Sequence, residues 1–309
     1  MVGMKIPMQR RVFLRGLAGL AAAGLLPLAR AQTGEILTRA IPSTGFRLPV
    51  IGLGSWLTFD VGAHPARRAN VRGIIGAFFE RGGAMIDSSP MYLTAQAVIG
   101  AALAELDNDG ALFSATKVWI PGRGPGAWQM ESALESWGLD HFDLLYVHNL
   151  LDWDAHLPWM REWQAEGRAR HIGVTTSHGR RHGELLDVMA REKMDCVQFT
   201  YNIAHREAER RLLPAAAERG LGVVINRPFD GGGLFRRVRA QPLPPWAGEI
   251  ACENWAQFFL KFIVSHPAVS CAIPATSNIA HLHENMAALH APLPDAAMRR
   301  EMIRYFEDG

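Results

Sequence analysis

The apolar pair Val50-Ile51 leads into Gly52-Leu53-Gly54-Ser55-Trp56-Leu57, and this turn decides the fold. A doubly wound parallel sheet would carry G-x-G-x-x-G after its first strand, with the third glycine clearing room for the following helix. Position 57 is leucine, so that pattern is incomplete, and no G-x-x-x-x-G-K-[ST] loop occurs elsewhere. Outward from this turn, apolar runs begin near Val50, Met85, Ala111, Phe142, His171, Cys196, Leu221 and Val269. Their spacings are 35, 26, 31, 29, 25, 25 and 48 residues. Each interval but the last suits one strand and one helix returning to a parallel neighbour.

The segments between the runs have helical periodicity. Val71, Ile74, Ile75, Phe78 and Phe79 share one helix face, and Met130, Ala133, Leu134 and Trp137 repeat the spacing. Arg219-Gly220 supplies a glycine stop before the run from Leu221. The long last interval holds Gly231-Gly232-Gly233 and then Pro242, Pro244 and Pro245, which predicts a loop ahead of a helix over 251–265. An eighth helix is expected at 278–289 and a terminal helix at 296–306. Eight βα units within residues 32–309 fit a single (β/α)8 barrel, a TIM barrel, better than two domains.

The whole chain of 309 residues carries 32 Lys+Arg against 30 Asp+Glu, a net charge of +2. That surplus gives no electrostatic footprint for nucleic acid. Residues 1–31 hold Lys5, Arg10, Arg11, Arg15 and Arg30 and no acidic residue. A short run, mostly Ala, Leu and Gly, follows from Gly16 to Leu28, then Ala29-Arg30-Ala31. This is the order of a secretory signal, and the run is too short for a stable membrane span, which needs ~20 residues. Gln9-Arg10-Arg11-Val12-Phe13-Leu14-Arg15 resembles the twin-arginine translocation motif. The resemblance implies a twin-arginine signal peptide at 1–31, the twin-arginine translocase as a partner, and a periplasmic or otherwise exported protein. Without the leader the chain has 27 Lys+Arg against 30 Asp+Glu, so its charge is −3.

Chemistry in a barrel is built at the carboxyl ends of the strands. The second strand ends Met85-Ile86-Asp87, the third Ser114-Ala115-Thr116-Lys117, and the fourth runs from Phe142 to His148. Tyr92 lies five residues past Asp87. Singly, each of these residues is most simply structural or solvated, but adjacent strands bring all four to one mouth. Paired carboxylates for glycoside hydrolysis are missing, since only Asp87 is so placed. No H-E-x-x-H or C-x-x-C occurs, so no metal site is expected. Cys196 and Cys271 read as small core residues, and Arg236, Arg237 and Arg239 as a solvated turn.

At this point the chain resembles the aldo-keto reductases. The matching segments are Ile36 to Trp56 (an N-terminal hairpin and the first strand), Glu166 to Val174, Val197 to Asn202 with His205-Arg206, and Ile273 to Asn285. The resemblance implies a catalytic tetrad of Asp87, Tyr92, Lys117 and His148. Reducing a carbonyl adds hydride at carbon and a proton at oxygen, so the oxygen must meet an acid as charge grows there. Tyrosine, with a pKa of about 10, is too weak an acid unless its anion is stabilised. The resemblance makes Lys117 the stabiliser, Asp87 its anchor, and His148 the donor that orients the carbonyl.

The resemblance also implies NADPH as cofactor, with NADH possible, and a small carbonyl substrate. It sets the nicotinamide carboxamide against Thr175, Thr176 and Gln198, where the usual Ser-Asn pair is Thr175-Thr176. Asn226 stands where a ring-stacking Tyr is common. Gly54, Phe229, Gly231 and Gly233 are expected along the dinucleotide. Thr276, Ser277, His281, Glu284 and Asn285 are expected at its adenosine end, at a helix N-terminus suited to phosphate. Ala275 and His281 replace the Lys and Arg that many NADPH-preferring members carry, which keeps NADH open. Trp56, Trp119 and Asn149 are expected around the substrate mouth. An exported enzyme would have no expected recycling of free nicotinamide cofactor, which motivates a second class, a cofactor-binding redox-sensing barrel with little or no catalysis. Asn226 and Thr176 argue for altered cofactor use, and the complete tetrad argues against a degenerate site. The sequence carries no signal for an oligomeric state.

Overall fold

The computed structural model describes residues 35–106 and 110–309. The twin-arginine leader expected at 1–31 lies outside the described residues. A hairpin comes first, with β1 (Thr38–Ala40) antiparallel to β2 (Arg47–Pro49) and Arg39 opposite Leu48. Its turn needs Gly45, at φ +74, whose N–H bonds the Ile41 carbonyl at 2.8 Å.

Eight parallel strands follow in sequence order: β3 (Leu53–Gly54), β4 (Met85–Asp87), β5 (Phe113–Val118), β6 (Phe142–Val147), β7 (Ala169–Thr175), β8 (Cys196–Thr200), β9 (Gly222–Asn226) and β10 (Cys271–Ala272). Each pairs with its sequence neighbour. The edges β3 and β10 meet through parallel bridges Ile51–Ala272 and Gly54–Ala275. There Gly52 N–H reaches the Ala272 carbonyl at 2.8 Å and Gly54 N–H the Pro274 carbonyl at 2.9 Å. This curled parallel sheet is the arrangement expected of a (β/α)8 barrel.

The strands are buried on both faces, as parallel sheets between layers require. On β6, Leu144 and Tyr146 belong to the interior cluster with Met85, Phe113, Cys196 and Cys271, while Leu145 and Val147 face the surrounding helices. Ile41 and Leu48 of the hairpin join that interior cluster and close its floor. Cys196, Cys252 and Cys271 are free and buried, and burial drives the Cys196 and Cys271 thiols well above their ordinary range.

The helices are α1 (Pro65–Glu80), α2 (Ala95–Glu105), α3 (Arg123–Trp137), α4 (Trp153–Ala165), α5 (His182–Arg191), α6 (Leu212–Glu218), α7 (Gly233–Arg237), α8 (Trp255–Val264), α9 (Ile279–Met286) and α10 (Ala296–Asp308). Val71, Ile74, Ile75 and Phe78 of α1 are buried as expected, whereas Phe79 is only half-buried. α6 ends before Gly220 at φ +64. α9 is shorter than expected, its last residues tightening into a 3-10 turn at Ala287–Leu289.

Two expectations for the long interval are corrected. Its first part contains α7 rather than only loop. Arg237 is not simply solvated, because its guanidinium lies 4.1 Å over the Phe306 ring and donates to the Phe306 carbonyl at 3.3 Å. α7 thereby ties down the terminal helix α10.

Candidate active site

The carboxyl ends of β4, β5 and β6 bring Asp87, Lys117 and His148 together, with Asp87 and His148 lining a cavity of about 590 Å³ and Lys117 buried against Asp87. Tyr92 reaches the same wall from a 3-10 turn at Pro90–Tyr92, whose proline sets φ for the first position. Lys117 is 1% exposed. Its Nζ forms an ion pair with Asp87 Oδ1 and donates to the Ser88 carbonyl at 2.8 Å. The same Nζ lies 5.1 Å from the centre of the Tyr92 ring.

Burial pulls the Lys117 ammonium toward neutrality, but Asp87 and Tyr92 outweigh it and hold the pKa above its ordinary value. Tyr92 differs from the simplest expectation. Lys117 does favour its anion, yet burial opposes it more strongly, and the Asp87 charge adds to burial. The phenol therefore sits above its ordinary pKa and holds its proton. His148 is driven down to about 3, by burial first and then by the Lys117 charge, so it is neutral near pH 7. Its ring stands perpendicular to Tyr92 at 5.9 Å between centres. Its Nδ1 lies 2.9 Å from Ser89 Oγ.

From Asp87 a line of amides runs along the cavity wall. Gln198 donates through Nε2 to Asp87 Oδ2 at 3.0 Å. Gln198 Oε1 accepts from Asn226 Nδ2 at 3.3 Å. Asn226 Nδ2 also reaches the Thr176 carbonyl at 2.8 Å, while Asn226 Oδ1 accepts from Thr200 Oγ1 at 2.7 Å. Thr175 is buried, and its Oγ1 accepts the Asn149 N–H at 2.9 Å. Thr176 Oγ1 is buried and has no hydrogen-bond partner among the described residues.

The other expected residues divide into two groups. Gly54, Trp56, Asn149, Phe229 and Gly231 line the cavity, as does Gly232, while Gly233 instead opens α7. Trp56 and Trp119 are 37% and 42% exposed, with Trp119 6.3 Å from His148 between ring centres. Thr276, Ser277, His281, Glu284 and Asn285 continue beyond Ala275, which lines the cavity, into the first turns of α9. Thr276 and Asn285 are buried there, Glu284 is half-buried, and Ser277 and His281 are exposed. Sequence reasoning missed Ser89, Arg180 and Arg227. Ser89 is the second residue after Asp87, and Arg227 directly follows Asn226, so both lay within stretches already singled out.

Residues 50–301 match the Aldo/keto reductase family, and the chain belongs to it. It is an oxidoreductase of that family. The chain is 29% identical over 181 residues to pyridoxine 4-dehydrogenase of Escherichia coli, a match covering 55% of this chain and 60% of that protein. It is 23% identical over 291 residues to the NADP-dependent D-sorbitol-6-phosphate dehydrogenase of Malus domestica, covering 83% of this chain and 90% of that one. A Klebsiella pneumoniae aldo/keto reductase, crystallised with NADP and acetate, superposes with a TM-score of 0.71 at 25% identity, covering 86% of this chain and 94% of that chain.

Proposed function

We propose that this protein is an exported NADPH-dependent carbonyl reductase that converts an aldehyde or ketone to an alcohol. The observation that carries the reading is the buried ion pair of Asp87 and Lys117 set against Tyr92 and His148 at one cavity wall. The residues present fit a nicotinamide dinucleotide. Thr176 Oγ1 is a buried polar atom with no partner among the described residues, beside the carboxamides of Gln198 and Asn226. Gly54, Gly231 and Gly232 leave that edge of the cavity without side chains. Thr175, Thr176 and Gln198 would hold the carboxamide, and Phe229 and the glycines the length of the dinucleotide. Thr276, Ser277, His281, Glu284 and Asn285 would meet its adenosine end.

NADPH, when bound, supplies the hydride. The protein supplies the proton and its control. Tyr92 gives its hydroxyl proton to the carbonyl oxygen, and the Lys117 ammonium stabilises the phenolate that remains. Asp87 keeps Lys117 charged and fixed in position. His148 is neutral, and with Nδ1 against Ser89 its Nε2–H is the hydrogen left to orient the carbonyl oxygen.

NADPH oxidation with a panel of aldehydes, ketones and quinones, run beside Tyr92→Phe, tests the reading. Steady turnover that Tyr92→Phe nearly abolishes is expected. Tight cofactor binding without turnover would favour a redox-sensing barrel, the reading to which Asn226 in place of a stacking ring lends support. Export rests on Arg10-Arg11-Val12-Phe13-Leu14. Residues 1–35 fused to a folded reporter should direct it out of the cytoplasm, and Arg10→Lys with Arg11→Lys should trap it inside. Among the described residues no helix is long and apolar enough to cross a membrane.

A further inference from the structure

The mouth of the cavity has two unlike sides. On one, Met91 and Trp119 are exposed apolar groups next to Tyr92 and His148. On the other, the segments after β7 and β9 bring in His178, Arg180 and Arg227, all lining the cavity. Arg227 is the deeper cation, with its side chain 16% exposed. Its Nη2 reaches Asp230 Oδ1 at 3.1 Å, and its guanidinium lies 5.6 Å from the centre of the Trp56 ring. Its Nε is buried with no hydrogen-bond partner among the described residues. A guanidinium that leaves a donor unused in a cavity wall lacks an acceptor, and oxyanions match its fork best.

The neighbouring charges sharpen this. Arg181 also lines the cavity but is spent on Glu184, which takes Nε at 2.7 Å and Nη2 at 2.5 Å. Arg180 makes no side-chain hydrogen bond or ion pair among the described residues and is exposed at the rim. His178 packs edge-on against Trp56 at 6.4 Å, and its pKa is lowered by burial and then by the charges of Arg227 and Arg180. Among the described residues the only carboxylate lining the cavity is Asp87, which Lys117 already holds. Arg227 also has φ +49, a left-handed backbone uncommon for a residue with a side chain. Such a conformation is held by its surroundings and clusters at ligand contacts.

We propose that Arg227, with Arg180 at the rim, recognises a carboxylate or phosphate on the carbonyl substrate, so that the preferred substrates are oxo compounds with an apolar body and an acidic group. The apolar body lies against Met91 and Trp119, and the acidic group faces Arg227. This rests on the carbonyl-reductase reading above and names its substrate class. The shared chemistry is an oxyanion, which the cofactor's own phosphates also offer, so the test separates the two sources.

The probes are 4-carboxybenzaldehyde and its uncharged amide, 4-formylbenzamide, assayed by NADPH oxidation with wild type, Arg227→Gln, Arg227→Lys and Arg180→Ala. NADPH affinity is measured separately by fluorescence titration. The wild type should favour the acid, and Arg227→Gln should lower the acid-to-amide ratio of kcat/KM by about 10- to 100-fold, as for loss of a hydrogen bond to a charged group. Arg227→Lys should recover part of the ratio, and Arg180→Ala should lower it less. A wild-type ratio near one, or a ratio unchanged by Arg227→Gln, overturns the proposal. Equal losses on both aldehydes with weakened NADPH binding also overturn it, because the guanidinium then serves the cofactor. If neither aldehyde turns over, the carbonyl-reductase reading fails, and calorimetric binding of the two probes to free and NADP+-loaded protein decides the oxyanion site alone. Binding of the acid that Arg227→Gln abolishes upholds it, and equal binding of acid and amide overturns it.

Discussion

Ser89 Oγ lies 2.9 Å from Nδ1 of His148 and also accepts the Met91 N–H at 3.3 Å. Where the serine hydroxyl donates to Nδ1, the proton of the neutral imidazole belongs on Nε2. His148 has a pKa lowered to about 3, so raising the pH through neutrality removes no proton from it. Tyr92 is raised above its ordinary value and keeps its proton into the alkaline range. Carbonyl reduction should therefore have a kcat/KM flat from about pH 5 to about pH 9, falling only as Tyr92 ionises. An inflection near pH 6.5 that disappears in His148→Gln would contradict this charge state.

Tyr92→Phe removes only the hydroxyl from the cavity wall. It should lower kcat by about 10²- to 10⁴-fold, the range for a lost general acid, and leave the dissociation constant for NADPH within about twofold. Stopped-flow turnover beside a fluorescence titration reads both. A comparable loss in the two would show that the hydroxyl serves binding rather than proton transfer.

Lys117→Met leaves the Asp87 carboxylate buried without its cation. The expected loss of stability is about 3–5 kcal/mol, the range for a broken buried pair. Pairing it with Asp87→Leu should restore much of that stability while activity stays absent, because both charges are then gone. Thermal denaturation of the two variants distinguishes this from a general packing defect, in which the double variant would be the less stable.

Thr176→Val tests the unpartnered hydroxyl. In the free protein Thr176 Oγ1 bonds to nothing among the described residues, so replacing it with a methyl should be neutral or stabilising. NADPH binding should nevertheless weaken by about tenfold, as for one lost hydrogen bond. Unfolding midpoints unchanged or raised, together with a weaker cofactor titration, are the expected pair of results. A lowered midpoint with unaltered affinity would assign the hydroxyl a structural role.

Gly54→Ala should disturb the edge where β3 meets the last strand. An added Cβ would stand 2.8 Å from the Ile273 carbonyl oxygen, a backbone atom that cannot turn aside. The expected destabilisation is about 1–3 kcal/mol, with weaker cofactor binding because Gly54 also lines the cavity. Chemical denaturation measures the first effect and NADPH titration the second.

Much of this architecture was legible because parallel strands buried on both faces are written as apolar runs. The runs from Met85, Phe142 and Cys196 begin at the residues where β4, β6 and β8 begin. Asp87, Lys117 and His148 stood out as polar residues ending such runs. α7 was not legible, since a short segment after three glycines owes its helix to tertiary support, including the contact of Arg237 with Phe306. The proton state of Tyr92 was half legible: Lys117 could be read beside it, but desolvation depends on what the folded chain packs around the hydroxyl. Arg227 was passed over because an arginine in a loop reads as solvated, and only the fold reveals its buried Nε.

The junction of Gly54 with Ala275 sets an order in time. A ribosome delivers the two partners more than two hundred residues apart, so the first strand waits for almost the whole polypeptide before its second neighbour exists. Closing a loop of that length costs more entropy than pairing adjacent βα units, which favours late closure. The twin-arginine leader proposed above would be exposed from the start of synthesis, whereas the ring it would accompany is completed only near the end. A translocase that takes folded cargo meets that constraint, and one that threads nascent chain would have to leave the ring to close on the far side.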